Sequence, residues 1–189
     1  TIAGAAGDDV VDGGMGDDTI TGGEGSDTVV FAGNKGDFTF EVAADGTLTV
    51  TDLNTMTALG VDTITGVETL SFDDGDLTVT TAEDGYVTLT GTDADDDVTV
   101  VGATAVTLQG VMGSDTLTGG DGADTIDGAL GDDTIDGGAG DDTIYGNEGA
   151  DDIDGGLGDD TIDGGSEGDV ITAGDGDDTV YGGSGADDI

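Results

Sequence analysis

The chain has 189 residues and carries Lys+Arg 1 against Asp+Glu 45, a formal net charge of -44. With no His and no Cys, it has no imidazole base, no thiolate nucleophile and no zinc or haem site of the ordinary kinds; nucleic acid and anionic membranes would be repelled. So many like charges on one compact body repel each other, so an external cation must neutralise them before the acidic segments fold.

No apolar run reaches the roughly 18 residues of a membrane-spanning helix. Thr1 to Val11 also lacks the basic region and apolar core of a signal peptide. High charge with few aromatics would normally indicate disorder. Here, however, 40 glycines and no proline recur at a fixed spacing, and a fixed period marks a solenoid.

Residues 1–31 form a first array. Thr1 to Ala3 is the tail of one unit, followed by GAAGDDVVD from Gly4, GGMGDDTIT from Gly13 and GGEGSDTVV from Gly22. The pattern is G-G-x-G-x-D-x-U-x, with U a large aliphatic residue. Glycines at positions one, two and four allow a tight turn with outward-facing carbonyls. The last three residues make a short strand whose middle member, Val11, Ile20 or Val29, points inward.

Between residues 32 and 109 the nonapeptide disappears and apolar–polar alternation takes over, which predicts antiparallel β structure. Phe38, Phe40 and Val42 turn at Ala44-Asp45-Gly46 into Leu48 and Val50. Leu77 and Val79 lead through Glu83-Asp84-Gly85 into Tyr86 to Leu89. Val98 to Val101 and Ala105 to Leu108 read as a third hairpin. This segment is expected to cap the first array and space it from the second. Asp93, Asp95 and Asp97 imitate the start of an EF-hand loop, but Val98 stands at the sixth position and Thr104 at the twelfth, where that loop needs Gly and Glu.

From Gly110 to Ile189 the nonapeptide returns in nine units without a register slip, the last one residue short. The inward positions are Leu117, Ile126, Ile135, Ile144, Ile153, Ile162, Ile171 and Val180. Two units would make one turn of a flattened coil, with turns stacking at about 4.8 Å. One aliphatic residue per unit buries too little apolar surface to offset the ordering of nine residues. Calcium, a hard cation that takes six to eight oxygens, suits the recurring aspartates and turn carbonyls. Position five (Asp8, Asp17, Asp132, Asp141, Asp159, Asp177) and position nine (Asp12, Asp127, Asp136, Asp154, Asp163) read as a solvated face.

The nonapeptide resembles the RTX, or hemolysin-type calcium-binding, family. The resemblance implies an all-β fold, with parallel β-roll arrays, a calcium-bound solenoid, flanking the antiparallel β-rich segment. It assigns calcium to the position-six aspartates: Asp9, Asp18 and Asp27 in the first array, and Asp115, Asp124, Asp133, Asp142, Asp151, Asp160, Asp169, Asp178 and Asp187 in the second. Multiple ions, roughly ten, would be held between turns by aspartates two units apart. Departures are Ala129, Asn147 and Ala173 at glycine positions, and Glu167 at a fourth position, which is expected to weaken a site using Asp169.

The family also implies an extracellular or bacterial cell-surface location. Two readings of function follow. The favoured one is a calcium-rigidified structural or adhesive protein of the S-layer, filament or adhesin kind. Because the chain begins and ends inside a repeat, it could stack head to tail on other copies. The other is the carriage region of an enzyme or toxin exported by type I secretion. The chain itself is not expected to be an enzyme, since its acids are periodic and lie on turns.

Overall fold

The computed structural model describes residues 1–54, 59–82 and 85–189. The strands of the first array are β1 (Ile2–Ala3), β2 (Val10–Asp12), β3 (Thr19–Thr21) and β4 (Thr28–Val30). The central segment contributes β5 (Phe38–Val42), β6 (Leu48–Asp52), β7 (Val61–Thr65), β8 (Thr69–Phe72), β9 (Gly75–Thr81), β10 (Val87–Thr90) and β11 (Asp97–Val101), and β12 (Val106–Met112) bridges into the second array. There follow β13 (Thr116–Gly120), β14 (Thr125–Leu130), β15 (Thr134–Gly138), β16 (Thr143–Glu148), β17 (Asp152–Asp154), β18 (Thr161–Ser166), β19 (Val170–Thr172) and β20 (Thr179–Tyr181).

These strands form two ten-stranded sheets, and in the arrays successive strands alternate between them. The second array is parallel throughout: Ile126 pairs with Ile144, and Ile144 with Ile162, each step advancing 18 residues. The predicted inward residues Ile20, Val29, Leu117, Ile126, Ile135, Ile144, Ile153, Ile162 and Ile171 are all buried, while Val11 and Val180 at the end turns are partly so. A period of two on each strand points one side chain into the space between the sheets and its neighbours out.

The central segment is woven into the same two sheets. In one sheet the order runs β3-β7-β6-β5-β11, and in the other β4-β8-β9-β10-β12. Each therefore contains one reversed strand, β6 or β9, flanked by antiparallel partners. The first two predicted hairpins are present, the second with Glu83 and Asp84 of its turn outside the described residues. The third is not a hairpin. β11 pairs in parallel with β5 and β13, while β12 pairs in parallel with β10 and β14 in the opposite sheet. Strand alternation looks the same whether the next strand folds back beside its predecessor or turns a corner to face it across the core, so residues 102–105 read as a hairpin turn when they are a solenoid corner.

All four phenylalanines of the chain gather in this region. Phe72 stacks on Phe31 at 5.4 Å between ring centroids, lies 5.3 Å from Phe38 and meets Phe40 edge-on at 6.0 Å. The cluster supplies apolar burial where the nonapeptide ladder is interrupted.

Parallel stacking at fixed register also dictates backbone conformation at the turns. Val111, Ala129, Asn147 and Gly165 are paired in sequence up one side of the roll, and all four have positive φ. A β-branched residue at φ 92, as Val111 is, carries left-handed strain. Val111→Gly is expected to stabilise the folded chain by about 1 kcal/mol, since about 1–3 kcal/mol of relieved strain exceeds about 0.4–1 kcal/mol of added unfolded-chain freedom; the urea midpoint measures it.

Candidate metal centre

The position-six aspartates fold back over their own turns and reach the preceding turn. Asp27, and every one from Asp124 onward, uses one oxygen, Oδ1, to accept the backbone N–H of the residue 18 positions earlier. Asp115 N–H donates to Asp133 at 2.8 Å, Asp124 to Asp142 at 2.7 Å, Asp133 to Asp151 at 2.9 Å and Asp142 to Asp160 at 2.8 Å. The same link joins Asp9 to Asp27, Asp151 to Asp169, Asp160 to Asp178 and Asp169 to Asp187. One column of carboxylates therefore runs along each edge of the roll.

The second oxygen is the unusual one. Oδ2 of Asp27, Asp115, Asp124, Asp133, Asp142, Asp151, Asp160 and Asp169 is buried and accepts no hydrogen bond. It lies against the position-one glycine of its own unit and the carbonyl of the position-one residue one turn on. A Cβ on Gly119 would stand 2.6 Å from Asp124 Oδ2 and 2.7 Å from the Gly137 carbonyl oxygen. Position one is thus glycine for lack of room alone, whereas most glycines at positions two and four combine a positive φ with a close approach to the backbone of the preceding turn. Buried polar atoms are ordinarily satisfied, and a row of unsatisfied carboxylate oxygens beside carbonyl oxygens is a donor set that calls for cations.

The remaining predicted aspartates lie at the ends. Asp9 Oδ2 accepts the Ala5 N–H, Asp18 faces the N-terminal ammonium at 3.5 Å, and Asp178 and Asp187 are half-buried. Glu167 leaves its turn intact: it adopts φ 76 in place of glycine, and Asp169 keeps both its buried oxygen and its contact to Asp151. Position five is exposed, and it also makes contacts between turns. Asp8, Asp132, Asp141 and Asp159 accept the N–H of Ser26, Ala150, Asp159 and Asp177, so these exposed side chains staple each turn to the next.

The EF-hand imitation dissolves, because the residue that matters there is Asp96. It donates its N–H to Asp115 Oδ1 at 2.8 Å, which makes it the next rung of the column. Its own oxygens are both engaged: Oδ2 accepts the Thr92 N–H at 2.6 Å, and Oδ1 lies 2.9 Å from the Lys35 ammonium. Lys35, the only basic side chain, is fully buried and also contacts Asp74 at 3.3 Å. At this one rung the cation belongs to the chain itself. Sequence reading passed over Asp96 because Thr92 and Ala94 occupy its unit's second and fourth positions, where glycine marks the others.

Four copies of the RTX calcium-binding nonapeptide repeat match the chain, over residues 1–29, 107–135, 128–162 and 154–189, more than half its length. The chain belongs to the RTX calcium-binding nonapeptide repeat family. No curated protein sequence matches it. Among solved structures, the extracellular lipase LipA from Serratia marcescens aligns at 21% identity and a TM-score of 0.31, covering 89% of this chain and 31% of the lipase. The present chain thus spans under a third of that lipase's length.

The RTX aspartates fit calcium in kind: all donors are oxygens, they repeat at every turn, and each buried carboxylate presents one oxygen with no hydrogen-bond partner. Among the described residues, no three His, Cys, Asp or Glu side chains converge on one point. Any ion held here must therefore draw much of its shell from turn carbonyls, as calcium readily does.

Burial, with neighbouring like charges adding to it, pushes the carboxyls of Asp115, Asp142 and Asp151 up to about 6 and that of Asp124 to about 7, from 3.8, and raises Asp133 and Asp160 as well. Between these values the metal-free folded chain binds more protons than the unfolded one, so its stability is greatest near pH 4, falls as pH rises through 6 to 7 and changes no further above that. In chelator, circular dichroism should therefore show β structure increasing on acidification through that window. With calcium present, protons compete for the same oxygens, and the apparent calcium affinity should fall over the same range. Removing the buried ammonium should be costly: Lys35→Met is expected to destabilise the chain by about 3–5 kcal/mol in urea titrations, with much of the loss recovered on adding Asp96→Asn.

Proposed function

We propose that this chain is a calcium-folded structural module of a secreted or cell-surface protein, of the S-layer, filament or adhesin kind, and not itself a catalyst. The observation that carries the reading is the row of buried position-six carboxylate oxygens with no hydrogen-bond partner. Leaving them charged and unpaired opposes folding, because burial of an uncompensated charge is costly. A cation that binds only the folded form stabilises it by mass action. The roll is then unfolded where calcium is scarce and rigid where calcium is abundant, as outside a cell.

Several features favour a scaffold over an enzyme. Among the described residues the cavities are open and lined mainly by glycine, threonine and small aliphatic side chains, with a few carboxylates. The acids of the two arrays stand mostly on repeated turns. Also among the described residues, no helix is long and apolar enough to cross a membrane. The same calcium switch would serve the second reading, a carriage region of an exported enzyme or toxin that must remain unfolded in transit.

Far-UV circular dichroism with light scattering, followed from chelator to about 10 mM calcium, tests both. The expected result is a coil-to-β transition in the sub-millimolar to millimolar range, accompanied by rising scattering as copies associate. A transition without scattering would favour the monomeric carriage module. Full β structure in chelator at neutral pH would remove calcium-driven folding from both readings.

A further inference from the structure

The first array stops being recognisable as RTX at residue 29, yet its aspartate columns continue into the central segment. On one edge, Gly60 stacks on Gly16, the Val61 N–H donates to Asp17 at 3.1 Å, and the Asp18 N–H donates to Asp62 Oδ1 at 2.9 Å. Thr19 and Ile20 pair with Thr63 and Ile64. Gly60 to Thr65 therefore repeats positions four to nine of the nonapeptide, with Asp62 at position six.

On the other edge the substitution goes further. Thr28 and Val29 pair with Thr69 and Leu70, which sets Glu68 opposite Asp27. The Asp27 N–H donates to Glu68 Oε2 at 2.8 Å, the contact that the aspartate 18 residues on makes elsewhere. The cradle is reproduced too. A Cβ on Gly22 would collide with both Asp27 Oδ2 and the Gly66 carbonyl oxygen, just as one on Gly119 would collide with Asp124 Oδ2 and the Gly137 carbonyl. Asp27 is buried, and its Oδ2 has no hydrogen-bond partner. Between Gly66 and Glu68 only Val67 stands where the repeat has four residues. The shortened turn explains why the acid is glutamate: the extra methylene restores the reach that the missing backbone would have provided.

We propose that a calcium ion is held between Asp27 and the Gly66–Glu68 turn, with the Glu68 carboxylate and the Gly66 carbonyl completing a site whose other half lies in the first array. This rests on the calcium reading of the RTX columns and extends it to residues outside every matched repeat. The ion clamps the first array to the central segment across 41 residues of sequence. Because the shortened turn offers fewer carbonyls than a full one, the site is weaker than those of the second array and fills after them.

Equilibrium dialysis of the full chain with radioactive calcium, at pH 7.5 and saturation, counts the ions bound by the wild type, Glu68→Gln and, as a control in the second array, Asp133→Asn. Glutamine keeps an oxygen for the Asp27 N–H while losing the charge, so Glu68→Gln should bind one ion fewer with an unchanged circular dichroism spectrum. A count equal to wild type for Glu68→Gln, with a reduced count for Asp133→Asn, overturns this site and leaves the family reading standing. Unchanged counts for both overturn the calcium reading itself. Should Glu68→Gln fail to regain β structure, hydrogen exchange on the wild-type chain decides. One shared ion protects the amides of Asp27 and Thr69 in the same calcium step, and protection in separate steps overturns the proposal.

Discussion

The whole roll depends on carboxylates buried with one oxygen satisfied and one not. The Oδ1 atoms tie each turn to the turn before it by hydrogen bonds to backbone N–H groups, as from Asp133 to Asp115. The Oδ2 atoms, lodged between a glycine and a carbonyl of the next turn, make the same arrangement unfavourable until a cation joins it. Register, glycine placement and the row of oxygens offered to calcium are all consequences of that one side-chain position. A shift of one residue would exchange the aspartates for position-five or position-seven side chains and turn the aliphatic stack outward.

Cohesion along the roll is divided unevenly. In the second array each of the first seven units contributes one buried aliphatic side chain and little else apolar, and the columns of Asp and Gly do the rest. In the central segment the four phenylalanines and the alternating strands from Phe38 to Leu89 form an ordinary hydrophobic core. There the one buried lysine holds the Asp96 rung with an ion pair that needs no external ion. The molecule thus has a middle that apolar burial can stabilise, between arrays whose buried carboxylate oxygens lack partners.

Much of this was legible in the residues because the nonapeptide repeats a single structural solution. A period of nine with glycine at positions one, two and four could be read as a turn, and Ile126, Ile135 and Ile144 could be placed inside, since a three-residue strand has only one inward position. Legibility ended where glycine ceased to mark the turns. Asp62, Glu68 and Asp96 occupy the same columns as the repeat aspartates, but their units carry threonine, alanine or a shortened loop. Only pairing with Asp18, Asp27 and Asp115 shows what they are. The pair Val98–Val101 and Ala105–Leu108 was misread for a related reason: alternation records which face of a strand is apolar and contains nothing about which sheet the strand joins.

By itself, then, the sequence determined the turn chemistry, the strand period, the inward stack and the need for a cation, because each follows from residues within nine positions of one another. The tertiary structure alone decided that the central segment belongs to the same two sheets, that one strand in each runs backwards, and that Lys35 meets Asp96. Those outcomes depend on contacts between residues far apart in the chain, and the free energy that selects them comes from packing and pairing that no local pattern encodes.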